Sequence, residues 1–169
     1  EIVMQEAVLT FPHSNAGFSQ LFFSNNQECV IEFLQRVFYY IGGVPPRIKF
    51  DNLTSVVRLN RDKTRKINES FIRFTNHHRF EAVFCNPGKG NEKGNVENKV
   101  GYIRRNWLTP IPEFKTLNDL KVFNEQLFEK AMDDMKRPHY QKQKQIKEIW
   151  QEDLEKLLIL NEIRYDNYR

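Results

Sequence analysis

The hydrophobic positions change period several times along the chain, and each change marks an element. Residues 2–11 (IVMQEAVLTF) are rich in Ile, Val, Leu and Phe and predict a strand. FPHSNAG (11–17) gathers Pro, Ser, Asn and Gly, the residues of a turn. GFSQLFF (17–23) predicts a second strand, antiparallel to the first across that short connection. Ser24-Asn25-Asn26 marks a helix start, with Glu28 in the first turn, where a carboxylate suits the helix dipole. Val30, Phe33, Leu34, Val37, Phe38 and Ile41 recur at helical spacing and define a buried face. Gly42-Gly43 ends that helix and Val44-Pro45-Pro46 prevents its resumption.

RIKFDN (47–52) predicts an interior strand whose C-terminal end presents Asp51. Residues 58–66 (RLNRDKTRK) have no periodicity and predict a basic loop. Ile67, Phe71, Phe74 and His78 predict an amphipathic helix over 67–78, and FEAVFC (80–85) alternates as a strand does. NPGKGNEKG (86–94) is a glycine-rich loop, and a helix over 95–107 is closed by Pro110 and Pro112. TLND (116–119) has capping-box spacing, with Asp where Glu or Gln is usual. Leu120, Phe123, Leu127, Ala131 and Met135 then follow a helical period. The pattern breaks at Pro138, and Ile146, Ile149, Trp150, Leu154, Leu157 and Leu158 mark a last helix. This order implies the α/β class, a mixed sheet with helices packed on it, followed by a helical C-terminal extension.

Composition narrows the classes. The chain has 169 residues, of which 13% are aromatic, enough for one hydrophobic core. No run approaches the roughly 18 apolar residues of a membrane span. Residues 1–11 lack a basic leader and a small-residue cleavage site, which implies no signal peptide. Two cysteines, Cys29 and Cys85, are too few for a disulfide scaffold and suggest a reducing cytosol. The chain begins at Glu1 rather than at Met. The net charge of +4 conceals an asymmetry: residues 44–107 carry 14 Lys or Arg against 6 Asp or Glu. A basic middle between near-neutral flanks suits an anionic partner bound by one face, and equally suits an ordinary solvated surface.

Three constellations could carry chemistry. Asp51 stands at a strand end, where open α/β sheets present ligands. Glu97 lies on the helix after the next strand, at the rim of a face formed by Val96, Val100, Ile103 and Trp107. Lys93 and Arg104 share its stripe. A carboxylate flanked by cations suits a hard divalent metal beside a phosphodiester, although a surface Glu in ordinary ion pairs has the same pattern. NPGKGNEKG matches neither phosphate-loop fingerprint, so nucleotide hydrolysis is a poor fit; Lys89 and Lys93 suit a nucleic-acid backbone better. His77, His78 and Cys85 lack a fourth ligand at zinc spacing, and a core thiol and a partly buried His account for them. For contact with a nucleic-acid backbone the residues expected are Arg58, Arg61, Lys63, Arg65, Lys66, Lys89, Lys93, Arg104 and Arg105, with Arg137, Lys142, Lys144 and Lys147 as an extension of the track.

GGVPPRIKFDN (42–52), FIRFTNHHRFEAVFCNP (71–87) and GNEKGNVENKVGYIRRN (90–106) resemble the catalytic core of bacterial insertion-sequence transposases of the IstA type. The resemblance covers about residues 1–110, the partial catalytic core, with 111–169 as the helical extension. It implies a ribonuclease H-like fold with an Asp-Asp-Glu triad binding two Mg²⁺ or Mn²⁺ ions. By motif match, Asp51 corresponds to the second carboxylate and Glu97 to the third, as catalytic and metal-binding residues. The family cleaves transposon ends and joins them to target DNA by metal-dependent phosphoryl transfer. It works as a homo-oligomer with an AAA+ helper ATPase in the bacterial cytoplasm. The family's first Asp stands on a strand before the hairpin, and no Asp precedes Asp51 here. The resemblance therefore implies a chain that starts after the first catalytic strand and is inactive alone. The alternative is a catalytically inactive nucleic-acid-binding remnant.

Overall fold

The computed structural model describes residues 3–51, 57–59, 65–85 and 94–167; for 57–59, 65–66 and 94–97 it describes the backbone. The elements in chain order are β1 (Gln5–Phe11), β2 (Ala16–Phe22), α1 (Gln27–Ile41), β3 (Arg47–Phe50), β4 (Val57–Leu59), β5 (Arg65–Ile67), α2 (Glu69–His78), β6 (Glu81–Phe84), α3 (Gly94–Asn106), α4 (Leu117–Asp134) and α5 (Ile146–Glu155). This is a mixed α/β chain. Its packing forms two compact units, residues 1–23 with 93–155, and residues 24–92 with 156–169.

The first unit is built on the β1–β2 hairpin, paired antiparallel from Gln5↔Phe22 to Phe11↔Ala16. The turn closes because Asn15 tolerates the left-handed conformation (φ 67°) and its N–H donates to Phe11 O at 2.8 Å. Ser14 Oγ accepts from Ala16 N at 3.2 Å. Phe18 is fully buried and packs edge-on against Phe11 and Phe128, while Trp150 of α5 meets Phe11 at 4.8 Å between centroids. α4 begins with the capping box foreseen at Thr116 and Asp119. From α4, the Asn124 side chain takes both backbone groups of Leu21, accepting from its N–H at 2.9 Å and donating to its C=O at 3.0 Å. One amide side chain thus satisfies an edge that would otherwise carry unpaired polar groups.

The second unit gathers aromatic side chains around α1. Asn26 caps α1 by accepting from Cys29 N, and Gly42 ends it at φ 80°, a conformation that suits glycine. Phe38 stacks on Phe74 and meets Phe80 and His78 edge-on. β3 and β6 pair in parallel, from Arg47↔Glu81 to Phe50↔Phe84, and Phe50 packs on Phe71 and Phe84. The chain's end packs on this unit. Val44 and Leu158 exchange backbone hydrogen bonds of 3.0 and 2.7 Å, and Tyr39 Oη donates to Asn161 O at 2.7 Å. The Gln35 amide bonds both backbone groups of Tyr165, at 2.9 and 3.0 Å.

Three expectations change. Residues 58–66 were expected to form a loop; instead β4 and β5 pair antiparallel within that stretch. Ile67 ends β5 rather than opening a helix, because its β-branched side chain suits a strand and Asn68 takes the N-cap position of α2. The last helix stops at Glu155, and Leu158 instead bridges to Val44. Among the described residues the strands form three two-stranded ladders, β1–β2, β3–β6 and β4–β5.

Candidate active site and nucleic-acid interface

Asp51 follows directly on β3. That strand alternates, with Ile48 and Phe50 buried and Arg47 and Lys49 exposed, so its end is fixed by two apolar side chains. Cys85 N donates to Phe50 O at 3.0 Å and extends the parallel pairing to the point where Asp51 begins. Asp51 is exposed at the carboxyl end of a parallel pair, the place where α/β sheets present catalytic groups. Glu97 lies in the first turn of α3, in the other unit, and its side chain is outside the described residues.

Of the face foreseen for α3, Val96 lies outside the described side chains, Val100 is half-buried, and Ile103 and Trp107 are buried as expected. Among the described side chains Lys99 is covered as well, 3% exposed. Its ammonium donates to Asn15 O at 3.0 Å and lies 3.6 Å from Asp134 Oδ2. The rings of Tyr102 and Trp107 are 5.2 and 5.8 Å away. Asp134 Oδ1 accepts from Tyr102 Oη at 2.5 Å and from Arg137 Nε at 2.9 Å. Burial lowers the Lys99 pKa, and the Asp134 carboxylate pulls it back up. Burial, together with the Asp134 bond, pushes the Tyr102 hydroxyl up to about 12, so it stays a neutral donor. Lys99 and Asp134 were missed because patterning counts both as polar. The signal available was the 99, 103, 107 spacing, one helical stripe.

Arg104 is mostly exposed, yet its Nε donates to Glu6 Oε2 of β1 at 3.2 Å. The Glu6 side chain is buried, and burial raises its pKa while the Arg104 bond lowers it in part. Glu6 too was passed over as a functional residue. Arg105 is exposed on the last turn of α3. Of the other expected DNA contacts, Arg58, Arg65 and Lys66 fall on β4 and β5, with Arg58 directly opposite Lys66. Arg61, Lys63, Lys89 and Lys93 lie outside the described residues. Arg137 belongs to the Asp134 cluster, and Lys142 Nζ donates to His13 O at 2.6 Å. Lys144 and Lys147 are exposed.

His77 and His78 serve the second unit. His78 is buried with Nε2 3.0 Å from Gln35 Oε1, and His77 Nε2 is 2.5 Å from Ile163 O. Burial, with a lesser push from His77, lowers the His78 pKa to about 4. Cys29 and Cys85 are free thiols. Among the described residues no group of three or more His, Cys, Asp or Glu is placed to hold a metal ion, and no helix is long and apolar enough to cross a membrane.

Comparison with known proteins decides the kinship. A transposase for insertion sequences IS1326/IS1353 of Pseudomonas aeruginosa is 30% identical over 139 residues, 82% of this chain and 27% of that protein. A transposase of Aminobacter aminovorans is 31% identical over 156 residues, 92% of this chain and 30% of that protein. The relatives of this chain are insertion-sequence transposases. A transposase for insertion sequence element IS21, also of Pseudomonas aeruginosa, is 27% identical over 132 residues, 75% of this chain and 33% of that protein. The chain thus spans about a third of these transposases or less. No protein-family model matches it. In fold it is similar to a chain in the cryo-electron microscopy structure of the simian T-cell lymphotropic virus intasome in complex with PP2A regulatory subunit B56 gamma. The TM-score is 0.54 at 13% identity, covering 86% of this chain and 52% of that one.

Proposed function

We propose that this chain is part of the catalytic core of an insertion-sequence transposase, which cuts transposon ends and joins them to target DNA by metal-dependent phosphoryl transfer. The observation that carries the proposal is the placement of Asp51 at the carboxyl end of the β3–β6 pair, in a chain about 30% identical to such transposases over most of its length. We assign Asp51 and Glu97 as two carboxylates of an Asp-Asp-Glu set. Their oxygens are the donors that Mg²⁺ or Mn²⁺ takes, and Asp51 stands at a strand end that is exposed. When bound, the ions would supply an activated water or 3′-hydroxyl and stabilisation of the leaving oxygen. The remaining carboxylate is assigned to the part of the relatives' length that this chain does not span. In this reading the fold is ribonuclease H-like.

The β4–β5 register supports an anionic partner. It places Arg58 opposite Lys66, two basic sequence positions that suit one anion. DNA phosphate is such an anion, and Arg104 and Arg105 add exposed guanidinium groups on α3. Assembly as a homo-oligomer and work with an AAA+ helper ATPase belong to the same proposal.

The test uses the full-length transposase containing this chain, with transposon-end DNA and Mg²⁺. Asp51→Asn and Glu97→Gln should each abolish cleavage and joining while end binding persists, and the 169-residue chain alone should be inactive. Wild-type cleavage by Asp51→Asn would overturn the assignment.

A further inference from the structure

We propose that Lys99 is a positioning residue that sets the rotation of α3 and so the placement of Glu97, an inference that rests on the catalytic reading of Glu97. Among the described side chains, α3 is seated by Lys99, Ile103 and Trp107, and of these Lys99 is nearest in sequence to Glu97, two residues away. Ile103 and Trp107 make apolar contacts, which tolerate sliding and small rotations. Lys99 makes directed ones: its ammonium donates to Asn15 O, faces Asp134, and sits against two aromatic rings.

The surroundings are shaped for that side chain. A Cβ placed on Gly17 would stand 2.5 Å from Lys99 Cε, so β2 is free of a side chain where the lysine stem crosses it. Asn15 directs its carbonyl to the ammonium from a left-handed turn. Asp134 is itself held by Tyr102 and Arg137, the former from α3 and the latter from just beyond α4. A leucine or methionine in the stripe would pack without the desolvation cost of a buried ammonium. What the lysine adds is a fixed angle.

The angle matters for chemistry. A rotation of α3 by about 10° moves a group about 5 Å from the helix axis by about 0.9 Å. Catalytic constellations tolerate displacements of only about 0.5 Å. Mg²⁺ is especially sensitive because it demands near-ideal octahedral geometry.

The experiment compares wild type, Lys99→Met, Asp134→Asn and Glu97→Gln in the full-length transposase. It measures thermal midpoint, transposon-end affinity, the Mg²⁺ dependence of cleavage, and the rise in thermal midpoint on adding Mn²⁺. Lys99→Met keeps the volume of the stem and removes the directed contacts. It should keep end affinity, yet need at least about 10-fold more Mg²⁺ for half-maximal cleavage and show a smaller Mn²⁺ shift. Asp134→Asn should move the same two quantities in the same direction, and it decides the matter if Lys99→Met fails to fold. Wild-type metal dependence in a folded Lys99→Met, with Glu97→Gln inactive, overturns the inference while leaving the catalytic reading intact. Full activity of Glu97→Gln overturns the catalytic reading and this inference with it.

Discussion

Arg104 Nε donates to Glu6 Oε2 at 3.2 Å, joining an exposed guanidinium of α3 to a buried carboxyl of β1. Glu6 also accepts from Ser19 Oγ at 3.5 Å, so the carboxyl is held from its own hairpin as well. The pair leaves the outer edge of the guanidinium turned to solvent. It holds Arg104 where a phosphate can reach it, and it competes with that phosphate for the same charge. In a transposase containing this chain, Arg104→Ala should weaken end binding and lower the salt slope of affinity by about one. Glu6→Gln should strengthen binding at low salt. Binding isotherms across a salt series decide it, and an unchanged slope in Arg104→Ala would remove Arg104 from the interface.

Glu6 and His78 tilt the pH dependence of stability in opposite directions. Burial raises the Glu6 pKa above 4.5, so just above that value the folded chain holds a proton the unfolded chain has released. Stability therefore falls as pH rises through that window, and Glu6→Gln should remove the fall. Urea unfolding at closely spaced pH values between 4 and 6 measures it.

For His78 the folded pKa is depressed, to about 4 from 6.5. Between those values the unfolded chain binds a proton that the buried ring refuses. Stability is thus fully present above pH 6.5 and is lost as pH falls toward 4, by about 3 kcal/mol at most. His78→Leu should flatten this acid limb. It should cost only about 1 kcal/mol at pH 7, since Gln35 Oε1 keeps its bond from Tyr165 N. An acid limb as steep in His78→Leu as in wild type would show that other groups cause it.

What was legible in the sequence was local. The hairpin turn, the cap at Asn26, the stop at Gly42 and the capping box at Thr116 each depend on residues within a few positions of one another. The position of Asp51 at a strand end was legible too, because RIKF alternates up to it. What was not legible depends on partners distant in the chain. Lys99 looks polar until Gly17, Asn15 and Asp134 surround it. Leu157 and Leu158 continue a helical period until Val44 offers a backbone bridge. Glu97 was picked out by the resemblance, its surroundings giving only a flanked carboxylate on a helix. β4 and β5 were hidden because their basic residues resemble a solvated loop, and only the register places Arg58 opposite Lys66.

Asn124 is one such distant partner, 103 positions from Leu21. Its amide is buried and takes the place of a neighbouring strand at that point, where β2 pairs with β1 alone among the described residues. Asn124→Ala leaves a buried N–H and a buried C=O without this partner, at a cost of about 2–4 kcal/mol. The urea midpoint should drop accordingly with little change in slope, because the surface exposed on unfolding is nearly the same. A loss below about 0.5 kcal/mol would mean that water replaces the amide.

The contact between Gly17 and Lys99 yields a reversal of sign. In the wild-type background, Gly17→Ala places a methyl 2.5 Å from Lys99 Cε and must push the buried lysine aside. Overpacking of this kind costs about 1–3 kcal/mol. In a Lys99→Ala background the obstructing carbons are gone. Gly17 has no positive φ, so an alanine there strains nothing and restricts the unfolded chain. The same substitution should then stabilise by about 0.4–1 kcal/mol. A double-mutant cycle measured by urea unfolding should return a coupling above about 1 kcal/mol, the range expected of side chains in direct contact. Additive effects would mean that the lysine stem does not cross Gly17, and would remove the physical basis for treating Lys99 as the residue that fixes α3.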